Sequence, residues 1–134
     1  MKQLLLLTLI LGVFLCLGMT ATKATNQHHE HEHGKQTAKV NFDHQYRLNG
    51  ALLFGEYLVV HDDDAKARGE ECVFFYRVKD DGMKDLVVSY HCKAVKREKA
   101  ESFKIIASRR LTTSGIYEIE EIQFAGTSDG HRVS

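Results

Sequence analysis

The chain has 134 residues, 43% of them hydrophobic, and its 18 basic and 18 acidic side chains give a formal net charge of zero. That length holds one domain with short appendages. The neutral balance excludes a polyanion-binding surface, so nucleic acid is not an expected partner, and the absence of Pro argues against a Pro-rich linker.

Residues 1–24 read as a signal peptide. Lys2 supplies the positive start, Leu4 to Leu17 form an apolar run broken only by Thr8 and Gly12, and small or polar residues follow from Gly18 to Ala24. The apolar core of about 14 residues is short against the roughly 20 needed to span a bilayer, so no stable membrane anchor is expected after cleavage. The expected location is exported, periplasmic or secreted. Export removes Cys16 with the leader and sends Cys72 and Cys92 into an oxidising compartment, where an even pair favours a disulfide.

Residues 25–39 carry few large apolar side chains and read as a disordered His-rich tail. His28, His29, His31 and His33 are four of the eight histidines, interleaved with Glu30 and Glu32. In an extended chain His29, His31 and His33 point one way, and in a helical turn His29 meets His33. Imidazole and carboxylate suit Zn, Cu or Ni, so these four are candidate metal ligands. Cleavage after Ala24 would leave His28 fourth in line, one place too far to join the terminal amine in a square-planar Cu(II) or Ni(II) site.

Residues 40–134 read as a β-domain. Period-two or apolar runs recur in "NFDHQYRL", "ALLFGEYLVVH", "CVFFYRV", "LVVSYHCKAV", "FKIIASRRL" and "IYEIEEIQF". Turn signals separate them at Asn49-Gly50, Asp62 to Gly69, Asp80-Asp81-Gly82 and Thr112 to Gly115. Gly55 marks a bulge or turn, and a bulge at Glu120-Glu121 would keep Tyr117, Ile119, Ile122 and Phe124 on one face. The expected class is all-β, a small antiparallel sandwich or barrel of about five to six strands. The alternative is α+β, with a helix near residues 97–110 that aligns Ala100, Phe103 and Ala107.

Opposed residues of an antiparallel pair point to the same side. A register pairing Val78 with Leu86 also sets Phe74 against Tyr90 and Cys72 against Cys92, with Lys79 facing Asp85 and Asp80 facing Lys84. This register predicts a cross-strand Cys72–Cys92 disulfide. A shorter register would place Gly82 better in the turn but lose both charge pairs.

Other groupings carry less. "HDDDAKARGEE", from His61, reads as a solvated acidic turn without EF-hand spacing. His91 and Cys92 are strand neighbours and point to opposite faces. The basic run Lys93, Lys96, Arg97, Lys99 reads as a solvated face, and "FAGTSDGHRVS" as a frayed end. His131 is a candidate metal partner for His44 or His61, and no spacing chooses between them. No nucleophile–base pair, P-loop or dinucleotide fingerprint is visible, so an enzyme is not expected. The sequence therefore points to an exported protein that binds or buffers divalent transition metal through its tail. The alternative is a structural or interaction module of the periplasm or cell envelope.

Overall fold

The computed structural model describes residues 34–109 and 115–134. The tail histidines His28, His29, His31 and His33, the leader, and residues 110–114 lie outside the described residues. The elements run β1 (Lys35–Leu48), β2 (Ala51–Asp62), α1 (Asp63–Ala67), β3 (Val73–Val78), β4 (Lys84–Tyr90), β5 (Cys92–Lys96), β6 (Lys104–Arg109), β7 (Tyr117–Gln123) and β8 (Asp129–Val133). The first strand begins at Lys35, so residues 35–39 belong to the sheet rather than to the tail. Ala38, Val40 and Phe42 alternate with exposed Thr37, Lys39 and Asn41, and that period of two buries one face.

The strands form one curled sheet in the order β4-β3-β2-β1-β7-β8-β5, with β6 on the other edge of β7. The fold is thus mostly β, as expected, but it is a half-barrel of eight strands and is not purely antiparallel. β1 and β7 pair in parallel through Tyr46–Tyr117 and Arg47–Glu118. Two expectations account for the strand count. The run "LVVSYHCKAV" splits at His91 into β4 and β5, and the supposed frayed end forms β8. β8 is held from both sides, by β5 and by β7, which overrides its Gly- and Ser-rich composition. The helical alternative for residues 97–110 is also settled, because Lys104–Arg109 is a strand paired with β7.

Local chemistry explains the register. Asn49 and Gly50 both have positive φ, 47° and 83°, which is the two-residue turn that joins β1 to β2. The register of that pair shifts between Phe42 and Tyr46, opposite Gly55. The β6–β7 register likewise shifts at Glu120, so Ile119, Ile122 and Phe124 all reach the core. At the β3–β4 turn, the Gly82 amide donates to the Lys79 carbonyl and the Lys79 amide to the Met83 carbonyl, both at 2.9 Å, with Gly82 at φ 79°. This three-residue turn pairs Val78 with Lys84, and a bulge then pairs Val73 with Tyr90. The register pairing Val78 with Leu86 is therefore corrected. Turn geometry decides over exposed charge pairs, which are worth ~1 kcal/mol at most. Lys79 still reaches Asp85 at 2.8 Å. In β3, Val73 and Phe75 are buried, while Phe74 and Tyr76 on the other face are partly exposed.

The core comprises Phe42, Leu48, Leu53, Tyr57, Val59, Val73, Phe75, Tyr90, Ile119, Ile122 and Phe124 around Cys72. The acidic run is not a plain turn. β2 continues through His61, and Asp62 then caps α1, accepting from the Asp64 and Ala65 amides at 3.0 Å each. Two members of the basic run are paired as well. Lys96 meets Asp129 at 2.6 Å, and Arg97 grips the buried Glu121 with two bonds of 2.8 Å. Arg97, with Arg132 behind it, holds the Glu121 carboxyl below the usual carboxylate range. Gly130 makes room for this group, since a Cβ there would collide with the Glu121 carboxylate. Gly130→Ala should therefore cost about 1–3 kcal/mol through overpacking. Urea unfolding of the variant against the parent checks this, and an unchanged midpoint would remove the close approach from the account.

Candidate metal centre

The inner face of β2 carries Leu53, Tyr57, Val59 and, last, His61. Strand parity therefore sends this imidazole into the core, where it is only 1% exposed. Its register partners are Gln36 on β1 and Val73 on β3. On β8, His131 lies opposite Ala94 of β5 and Ile122 of β7, and is 3% exposed. Cys92 shares that face, two residues before Ala94. Curling of the sheet brings the two imidazoles together, with ring centroids 3.9 Å apart and planes 35° from parallel. Phe124 packs edge-on against His131 at 5.7 Å and lies 6.3 Å from His61. The Tyr90 hydroxyl donates to the His131 carbonyl at 3.2 Å, and burial pushes that phenol's pKa well up.

Cys72 and Cys92 form a disulfide across a separation of 20 residues, with Cα atoms 6.1 Å apart. The pairing is the one expected, but the geometry that delivers it differs. Cys72 lies just before β3 and Cys92 opens β5, so the bond links two different strand pairs instead of crossing one hairpin. Backbone bonds fix both ends. The Asp62 amide donates to the Cys72 carbonyl at 2.9 Å, and the Cys72 amide to the Tyr90 carbonyl at 3.0 Å. The Cys92 amide donates to Cys72 Sγ at 2.9 Å.

One ligand atom each from His61, Cys72 and Cys92 lies within 4.8 Å of the others. Zn–N near 2.0 Å and Zn–S near 2.3 Å call for roughly 3.5 Å between ligand atoms, whereas Cys72 and Cys92 Sγ are bonded to each other, so both sulfurs could ligate one ion only as thiolates, with the disulfide reduced. The reduced donor set of imidazole nitrogen and thiolate suits Zn and Cu. All four ring nitrogens of His61 and His131 are buried without a hydrogen-bond partner, and Gln36 Oε1 is in the same condition. The nearest charge is Asp63, with Oδ1 3.8 Å from His61 Nδ1. Buried polar atoms are nearly always satisfied, so two adjacent imidazoles without a protein partner set this spot apart from the rest of the core.

Electrostatics keep both rings neutral. Burial lowers the His61 pKa, opposed by Asp63 and assisted by Lys66. Burial, followed by the neighbouring His61, pushes His131 down to about 4. Neutral imidazole is the form that offers a lone pair to a metal.

Of the two partners weighed for His131, the fold selects His61. His44 lies exposed on β1, stacked at 6.4 Å against Tyr117. The sequence held one usable signal for this centre, the parity that aligns His61 with Val59 and Tyr57. Compared with protein-family models, curated proteins and solved structures, the chain matches none of them.

A histidine whose folded pKa lies below its unfolded value gains a proton on unfolding, so its contribution is complete above pH 6.5 and is lost as pH falls towards 4. For His131 the full loss is about 3 kcal/mol. Denaturant unfolding of the metal-free protein from pH 7 to 4.5 should show the midpoint falling through this window. His131→Phe should flatten the fall, and an equal slope in both proteins would refute the assignment.

Proposed function

We propose that this is an exported protein that binds a divalent transition metal, with Zn, Cu and Ni as the candidate ions. Its anchoring ligands are His61 and His131, with the sulfurs of Cys72 and Cys92 beside them. The observation that carries the reading is the pair of core imidazoles 3.9 Å apart with no hydrogen-bond partner on any ring nitrogen. A structural histidine usually satisfies at least one nitrogen, and metal coordination is a common reason for burying several together. In this reading His28, His29, His31 and His33 act as a collector that raises the local ion concentration near the core site. Export would supply the oxidising context in which the disulfide forms and the imidazoles are the donors on offer.

A second reading, an interaction module of the periplasm or cell envelope, draws on the exposed apolar side chains of β2. Phe54 is 61% exposed and Leu52 52%. Scattered exposed apolar residues are common on soluble proteins, so this reading rests on less. Unchanged binding of envelope fractions by Phe54→Ser would remove it.

Calorimetric titration with Zn(II), Cu(II) and Ni(II), on protein with and without prior dithiol treatment, tests the metal reading. In the thiol state that binds more tightly, His61→Phe and His131→Phe should each weaken the core site about 100-fold. Replacing the four tail histidines with Gln should remove only weaker, additional binding. Binding that is untouched by both Phe variants and abolished by the tail replacement would place the metal in the tail and leave the core imidazoles without this role.

A further inference from the structure

We propose that the core site is gated by thiol redox state: the Cys72–Cys92 disulfide and metal binding by His61, His131, Cys72 and Cys92 are alternative states of one centre. The inference rests on the metal reading above and adds its regulation. Its basis is placement. His61, Cys72 and Cys92 put their ligand atoms within 4.8 Å of one another, and His131 stacks on His61. The strong sulfur ligand for a metal is the thiolate, and each disulfide sulfur has spent that electron pair on its neighbour. With the bond formed, the centre offers nitrogen donors alone. With the bond broken, it offers two thiolates and the His61 imidazole already grouped, and His131, packed against His61, would supply the fourth donor of a tetrahedral zinc site by turning towards the sulfurs.

The two sulfurs differ in ways that give reduction a direction. Cys72 is 1% exposed, while Cys92 at the start of β5 is half-buried and the more accessible. A thiolate of an external dithiol therefore attacks Cys92 Sγ. The S–S bond breaks, and Cys72 leaves as a thiolate facing the Cys92 amide, which already donates to it at 2.9 Å. The second thiol of the carrier then attacks the mixed disulfide, frees Cys92 and departs as the carrier disulfide. Two electrons pass from the dithiol to the protein, and its two protons end on the two cysteines. A divalent ion displaces those protons to solvent as it binds. In reverse, a disulfide carrier accepts two electrons, the Cys72–Cys92 bond reforms, and the ion leaves. Neither direction requires the strands to separate, because the disulfide already holds the ligands side by side.

The test uses Co(II) as the probe, because thiolate coordination adds a sulfur-to-cobalt charge-transfer band. The protein carries His28→Gln, His29→Gln, His31→Gln and His33→Gln, so that only the core is read. Dithiothreitol-reduced, anaerobically desalted protein should bind one Co(II), show the band, and resist alkylation at Cys92. Oxidised protein should bind at least about 100-fold more weakly and show no band. Oxidised glutathione added to the loaded protein should discharge the metal. In the reduced state His61→Phe should weaken binding about 100-fold.

Equal affinity in both redox states, without the band but still lost in His61→Phe, would overturn the gating and leave the imidazole site standing. Binding in either state that ignores both His61→Phe and His131→Phe would overturn the metal reading and the gating together. The redox comparison needs no substitution in the core. Circular dichroism of the reduced protein guards it, and a reduced chain that unfolds and stays unfolded with Co(II) present also overturns the gating.

Discussion

The structure depends on one joint. β4 and β5 stand at opposite ends of the strand order, yet only His91 separates them in the chain. A flat sheet cannot satisfy both facts, so the sheet curls until its ends meet at that residue. The Cys72–Cys92 disulfide fastens the joint from the β3 side, and Ser134 secures it from β8 by donating its amide to the His91 carbonyl at 3.1 Å. Closing a loop across 20 residues stabilises the fold by roughly 3 kcal/mol in the chain-entropy model. For a domain of this size that is a large share of the net stability.

The same joint creates the candidate site. Pinning β5 to the start of β3 carries β8, which pairs with β5, towards the end of β2, which pairs with β3. His131 and His61 meet there because each is the inward residue on its strand at that level. Cys72 and Cys92 stand beside them because they are the fastening. Stability and candidate chemistry thus share the Cys72 and Cys92 side chains, and a metal ion bridging their thiolates would preserve the closure that the disulfide provides.

Among the described residues, the buried Glu121 and the His61–His131 pair have opposite characters. Glu121 is 1% exposed, and its charged partners Arg97 and Arg132 satisfy the carboxylate within the protein. The His61–His131 pair is equally buried and satisfies none of its ring nitrogens within the protein. Burying polar atoms without partners costs free energy. An ion accepted by those nitrogens would offset that cost, which is the physical reason to separate a structural polar group from a candidate binding one.

Much of the sheet was legible because its signals are local. Alternation located six of the strands, Asn49-Gly50 specified a turn whose φ values only such residues tolerate readily, and the doubled Glu at 120–121 announced a bulge. The β3–β4 register is not legible from charge pairing, because the positive φ of Gly82 constrains the chain more strongly than two surface charge pairs do. β8 was missed because its sequence resembles a loop and its strand state comes from neighbours on both sides.

By itself the sequence determined the β class and most of the turns, since periodicity and backbone preference act over short range, and it offered the Cys72–Cys92 pairing, which the structure reaches through a different register. It also determined that His61 faces the same way as Val59. Only the tertiary structure decided that the face is the inside of a half-barrel, that β1 and β7 run parallel, and that His131 rather than His44 lies against His61. Parity fixes which side of its own strand a residue takes. Which distant strand lies across from it depends on how the whole sheet curls to bring β4 and β5 together, and no local pattern encodes that.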